Sequence, residues 1–247
     1  MAKDLFSNQS SFYAAYRPLY PKPLYDYLLQ KVSVRDTAWD CATGNGQVAI
    51  ELSKYFKNVF ATDISENQLA AATPGHNIHY SRQPAERTSF PRQFFDLITV
   101  AQAYHWFDFD AFQAEVKRIS RPGALIAVWG YHLPKSTNDN VNTLINYFYS
   151  DVTGPYWDPE RKWVDDFYQT IPFSYEDTSL RQFSIRTLWN REQFLGYFRS
   201  WSSVQHYMKE KNEDPVLVLA REIDNYWGSE ELKEITFPLF LKTGTVR

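Results

Sequence analysis

Thr37-Ala38-Trp39-Asp40-Cys41-Ala42-Thr43-Gly44-Asn45-Gly46-Gln47 is the stretch on which the fold turns. A short apolar run ends in an acid, Asp40, and breaks into small residues and glycines. A helix-compatible segment follows from Gln47 to Phe56. A second short run, Asn58-Val59-Phe60-Ala61-Thr62-Asp63, ends in another carboxylate, 63 − 44 = 19 residues beyond Gly44. Strand, glycine loop, helix, strand and acid together outline a nucleotide site at the carboxyl edge of a parallel sheet. The glycines let backbone approach a ligand, and the second acid accepts hydrogen bonds from ribose hydroxyls.

Outward from this unit the pattern repeats. Upstream, residues 12–31 read as a helical region bent by Pro18, Pro21 and Pro23, with a helix over Pro23 to Lys31. Downstream, Ser65 is a helix N-cap, and Pro74-Gly75 stops the short helix it starts. Strand three spans about Ile78 to Ser81. Phe95 to Ala101 is a near-continuous apolar run of the kind buried on both faces of a parallel sheet. Phe109 to Ser120 is an amphipathic helix, with Glu115 and Arg118 spaced to pair. Arg121-Pro122-Gly123 turns the chain into strand five, Ala124 to Trp129. Alternating strands and helices imply right-handed crossovers and a doubly wound sheet. Beyond Tyr131 the regularity fades. Asn138 to Tyr149, Pro159 to Thr170, Arg191 to Trp201 and Pro215 to Trp227 read as helices, and Leu180 to Leu188 and Ile235 to Lys242 as strands. Leu133 to about Thr170 is taken as a lid.

Composition narrows the function. The 247 residues carry a net charge of −3, so no basic field recruits nucleic acid or an acidic membrane. One cysteine excludes an internal disulfide framework and a cysteine-rich zinc module. No run of about 18 apolar residues and no signal-like N-terminus is present, so a cytoplasmic protein without a membrane partner is expected. His76 and His79 straddle a turn without a third ligand, so no metal site is expected. Aromatic residues make up 17% of the chain and crowd its second half, fitting both a ring-packed core and an aromatic-walled pocket.

Five stretches, in order, carry a resemblance: Tyr16 to Pro21, Asp40 to Gln47, Ala101-Gln102-Ala103-Tyr104-His105-Trp106-Phe107-Asp108, Arg121-Pro122-Gly123, and Arg199-Ser200-Trp201-Ser202. Together they resemble the class I S-adenosylmethionine-dependent methyltransferases of the small-molecule, type 11 kind, and within them the trans-aconitate methyltransferase-like and cantharidin-resistance-type proteins. The resemblance implies an α/β, doubly wound, Rossmann-like sheet of seven mostly parallel strands with a helical insertion after strand five. It implies one domain: a cap over 1–35, a cofactor-binding core over 36–131, a lid over 132–180, and completion of the sheet and acceptor pocket over 181–247. The implied cofactor is S-adenosylmethionine and the partner a small-molecule acceptor. Oligomeric state is left open.

The same resemblance assigns residues. Gly44 and Gly46 line the methionine and ribose part of the cofactor, Asp40 holds its amino end, and Asp63 its ribose. Ile64 packs on the adenine face, Ala85 offers backbone to the adenine edge, and Glu86 lies nearby. Ala101 and Gln102 face the transferable methyl with His105 and Trp106. Arg17 and Tyr20 close over the cofactor, and Arg17 is a candidate to hold a carboxylate. Ser200-Trp201-Ser202, Trp129, Tyr131 and Trp157 are candidate walls of the acceptor pocket. Ala42 stands where the family has its first glycine, so it is expected at negative φ, with the close approach at Gly44. For His105, general base, hydrogen-bonding group and structural histidine all remain open. With no acid–base dyad beyond His105, a carboxylic acid acceptor is favoured. Two alternatives stand: an NAD(P)-dependent oxidoreductase, although the loop lacks G-x-G-x-x-G, and a non-catalytic protein with a degenerate methyltransferase fold.

Overall fold

The computed structural model describes residues 16–229 and 231–247. The expectations for residues 1–15 lie outside the described residues. Helix α1 (Lys22–Lys31) starts after Pro21 and buries Leu24, Tyr25, Leu28 and Leu29 along one stripe. Strand β1 (Thr37–Cys41) is buried throughout. It leads through the glycine loop into α2 (Gln47–Leu52), then β2 (Asn58–Asp63). Ser65 caps α3 (Glu66–Ala70), its side chain accepting from the Gln68 N–H. Strands β3 (Ile78–Arg82) and β4 (Phe95–Ala101) follow. Asp108 caps α4 (Phe109–Ile119), whose Phe112, Val116 and Ile119 face the core while Arg118 pairs with Glu115 at 2.6 Å. Strand β5 (Ser120–Tyr131) then crosses the sheet.

The strands run in the order β3-β2-β1-β4-β5-β8-β7. The first five are parallel, and the long strand β8 (Lys233–Thr245) runs antiparallel between β5 and β7 (Glu176–Trp189). The expected seven strands gain an eighth, the two-residue β6 (Lys135–Ser136). It pairs with Thr236 and Ile235, because β8 is longer than the Leu239–Thr245 stretch that β5 covers. One buried cluster, centred on Leu24, Val48, Trp129, Phe194 and Phe237, covers one sheet face. A second, centred on Trp39, Phe95, Phe112 and Tyr168, covers the other.

The segment after β5 departs most from expectation. Helix α5 (Asp139–Tyr147) continues as a π-turn over Phe148–Val152 and a 3₁₀ turn over Gly154–Tyr156. The helix expected over Pro159 to Thr170 shrinks to α6 (Arg161–Asp165). Phe167 and Tyr168 end it in left-handed conformation, with φ of 58° and 57°. That turn drives the Tyr168 ring into the core at 4.8 Å from Phe240, so tertiary packing overrides helix propensity. Helices α7 (Arg191–Arg199) and α9 (Val216–Trp227) lie close to expectation, whereas α8 (Ser202–Lys211) was not foreseen. Among the described residues no helix is long and apolar enough to cross a membrane.

The expectation for Ala42 is overturned: its φ is +54°, alongside +57° at Gly44 and +84° at Gly46. Three left-handed residues within five positions fold the loop back over the end of β1. Gly46 has a second reason to lack a side chain, since a Cβ there would collide with the Tyr80 hydroxyl. An alanine in this region carries strain of roughly 1–2 kcal/mol. Ala42→Gly removes it and gives back some chain entropy to the unfolded state. The expected net gain is about 0.5–1 kcal/mol in urea unfolding at unchanged m-value.

Candidate active site

The carboxyl ends of β1, β2 and β4 converge on the loop. Asp40, 1% exposed, sits beneath it, accepting from the hydroxyls of Thr43 at 2.5 Å and Thr99 at 3.0 Å and from the Ala49 N–H. Desolvation outweighs these bonds and pushes its carboxyl up from 3.8 to about 7, with the nearby Asp63 charge adding to the rise. Asp63 grips the loop from the next strand. Its Oδ2 accepts from the Gly44 N–H and its Oδ1 from the Ser65 N–H, both at 2.9 Å. The space above Gly44 is open, with nothing closer to a built Cβ than Gln68 Oε1 at 3.7 Å. Gln47 Nε2 donates to the Pro18 carbonyl at 3.2 Å and so draws the segment carrying Arg17 and Tyr20 towards the loop.

Around the rim, Ile64 offers its carbonyl to Arg82 Nε at 3.0 Å. Ala85 is buried behind β3, and Glu86 Oε1 accepts from the Asp108 N–H at 3.3 Å. Ala101 ends β4, and the next residue, Gln102, is again left-handed at φ +55°. Its N–H donates to the Trp129 carbonyl at 2.8 Å, which bends the chain away from the sheet edge. Left-handed non-glycine residues at the ends of two neighbouring strands are strain of the kind that clusters at functional sites.

Beyond β4 lies a cleft that brings together Arg17, Gln102, His105 and Trp106, all singled out from the sequence. Its walls are aromatic: Tyr131, Trp157, Tyr197 and Trp201, with Trp157 and Trp201 packed at 5.2 Å. Trp129 does not join them. It is fully buried in β5, with Tyr20 edge-on to it at 5.5 Å, so its expected place in the pocket is corrected. Arg17 donates to the Tyr131 hydroxyl at 2.8 Å and the Ser200 carbonyl at 3.1 Å, and its guanidinium lies 5.4 Å from the Tyr197 ring.

Arg161, Asp158 and Tyr197 line the same cleft and were missed. Arg161 stacks on Trp157 at 4.5 Å. Its Nε donates to the Tyr149 hydroxyl and to Asp165, both at 3.1 Å. Asp165 in turn accepts from the Tyr149 hydroxyl and stays below its ordinary value, because hydrogen bonds and the Arg161 charge outweigh burial. The side-chain hydrogen bonds of Arg161 run through Nε, so among the described residues neither terminal nitrogen has a hydrogen-bond acceptor, and the residue lines the cleft. The one hint in the sequence was Trp157-Asp158-Pro159-Glu160-Arg161, charges set between aromatics in a segment otherwise read as a lid helix.

His105 is 7% exposed, and its Nδ1 lies 2.7 Å from the Tyr168 hydroxyl. Burial holds that phenol neutral, and its oxygen already accepts the His105 backbone N–H. With the hydroxyl taken as donor to Nδ1, the ring proton is assigned to Nε2. Desolvation first, and the Arg161 charge second, lower the imidazole from 6.5 to about 3. His105 is thus a neutral donor at neutral pH and a poor proton acceptor.

Comparisons with known proteins show the family and the fold. A family model described as a methyltransferase domain matches residues 39–128, the span from β1 to β5. A protein of Dictyostelium discoideum named as a methyltransferase is 33% identical over 245 residues, covering 96% of this chain and 93% of its own length. The chain therefore belongs to the methyltransferase family. A solved structure from Anaeromyxobacter dehalogenans, titled a type II methyltransferase, superposes with a TM-score of 0.84 at 33% identity, covering 93% of this chain and 97% of that one. The fold alone is shared with a Haemonchus contortus phosphoethanolamine N-methyltransferase in complex with S-adenosylhomocysteine, at a TM-score of 0.51 and 13% identity, covering 98% of this chain and 57% of that one. The oxidoreductase alternative is set aside.

The lowered imidazole has a sign. Between about 3 and 6.5 the unfolded chain takes up a proton at His105 that the folded chain refuses, so this group costs stability as pH falls through that window. Asp40 acts oppositely, because the folded chain keeps a proton up to about 7 that the unfolded chain releases near 3.8. The wild type minus His105→Gln difference isolates the histidine. In urea unfolding, wild type is expected to lose about 2 kcal/mol relative to the variant between pH 7 and pH 5.

Proposed function

We propose that this chain is an S-adenosylmethionine-dependent methyltransferase that esterifies a small carboxylic acid. When bound, S-adenosylmethionine supplies a methyl group on a sulfonium, and its transfer to a carboxylate leaves no proton to remove. The observation that carries the acceptor class is the cleft itself: it presents two guanidiniums, Arg17 and Arg161, and its histidine is held neutral with the lone pair on Nδ1 engaged by Tyr168.

The loop fits the cofactor. Open space over Gly44 admits a ligand against backbone, and a carboxylate with about four acceptor positions, as at Asp63, suits a pair of ribose hydroxyls. Gly44, Gly46 and Asp63 hold the sugar and amino acid parts, and Asp40 braces the loop from below. Ala42 shapes the loop's entry. Ile64, Ala85 and Glu86 flank the base, while Tyr20 and Ala101 close the end nearest the acceptor. On the acceptor side, the planar fork of Arg161 pairs with a carboxylate through its terminal nitrogens. Trp106, Trp157 and Trp201 exclude water, which favours annihilation of opposite charges, and Gln102 and His105 Nε2–H orient the acceptor by donating to it.

Two outcomes test this. Asp63→Ala should weaken S-adenosylmethionine binding by ~1.5–3 kcal/mol in calorimetric titration, as expected for lost hydrogen bonds to a carboxylate, and unchanged affinity refutes the assignment. On a turned-over acid, Arg161→Met should lower kcat/KM by ~10²-fold, the loss of a charge-assisted pair, whereas His105→Gln should cost less than ~10-fold. A loss of 10²-fold or more at His105 with little effect at Arg161 points instead to a base-dependent acceptor.

A further inference from the structure

Asp158 is the cleft residue that carboxylate binding leaves unexplained. It lies in the turn ahead of α6, lines the cleft, and its side chain is 12% exposed. Its Oδ2 is buried and accepts no hydrogen bond. The nearest cationic candidate, His206 Nδ1, is 3.8 Å away, beyond hydrogen-bonding distance, and already serves the Tyr156 carbonyl at 3.0 Å. Arg161, three residues on, turns its Nε to Asp165 instead. A buried carboxylate oxygen with no donor among the described residues is costly, and such an atom is ordinarily satisfied by something in the assembled site.

From this placement, and resting on the carboxylate reading above, we infer that Asp158 is a specificity residue. It accepts a hydrogen bond from an ammonium or hydroxyl group that the acceptor carries close to its carboxylate. The two charges sit on one turn. Arg161 therefore reads the anion and Asp158 the adjacent donor at the same end of the molecule, while the aromatic walls hold its apolar remainder. The acceptor class is an amino acid or hydroxy acid with an apolar side chain. An acid without the donor leaves Asp158 buried and unsatisfied, so the site rejects it.

The test uses the full chain with S-adenosylmethionine and two matched trios of acids: butyrate, 2-hydroxybutyrate and 2-aminobutyrate; 3-phenylpropionate, 3-phenyllactate and phenylalanine. Release of S-adenosylhomocysteine is followed for wild type, Asp158→Asn and Asp158→Leu. Within a trio, wild type is expected to favour a donor-bearing member over the unsubstituted acid by tenfold or more in kcat/KM. Asp158→Leu abolishes that preference. Asp158→Asn lowers it more for the ammonium member than for the hydroxyl member, since an amide oxygen still accepts from either donor but no longer supplies the countercharge of the ammonium. Both variants are expected to melt no lower than wild type, because each removes an unsatisfied buried charge; lower melting of both counts against Asp158 being unpartnered and overturns the inference. Equal turnover across both trios by wild type, or a preference that survives Asp158→Leu, also overturns it while leaving the carboxylate reading intact. Turnover of phenols or amines lacking a carboxylate, with none of any acid, overturns the carboxylate reading itself.

Discussion

A single buried carboxyl holds the working edge of this molecule together. Asp40 ends β1, and its oxygens gather the Thr43 hydroxyl from the loop, the Thr99 hydroxyl from β4 and the Ala49 N–H from α2. In a strand buried on both faces, such a group is tolerated because these three donors satisfy it. The consequence is a loop whose position relative to β4 is set. Asp63 completes the arrangement from β2 by taking the Gly44 and Ser65 N–H groups.

Function then divides along the sheet. Over β1 to β3 the backbone and two acids make a polar cradle suited to a sugar and an amino acid head. Past β4 the chain turns sharply at Gln102, and the chemistry changes to aromatic walls set with the charged side chains of Arg17, Asp158 and Arg161. Burial strengthens the charges it covers, because screening by water falls. Burial also explains why His105 is neutral: an imidazolium there faces both desolvation and the Arg161 charge.

The first half of the chain was legible because its signals are local. The apolar strand runs, the Ser65 cap and the Glu115–Arg118 pair all act within a few residues, and each appears as read. Ala42 shows where local reasoning fails. Intrinsic preference places alanine at negative φ, yet the loop closed by Asp40 and Asp63 requires the left-handed form, and the tertiary bonds outweigh a strain of roughly 1–2 kcal/mol. The lid fails in the same way. Its residues favour helix, but anchoring Tyr168 against His105 and Phe240 ends α6 early.

What the sequence by itself determined is the doubly wound half of the sheet, the glycine loop and the acid that follows β2, because periodicity, capping and turn chemistry depend on neighbours a few positions away. The cleft was decided only by tertiary structure. Arg17, Gln102, Arg161 and Trp201 are distant in the chain, and nothing in their local sequence says that they meet. Their roles come from burial and from partners that folding supplies: Asp165 turns Arg161, Tyr168 sets the His105 tautomer, and no donor reaches Asp158 Oδ2. Charge and protonation in a dry site depend on what surrounds a group, and only the folded chain defines those surroundings.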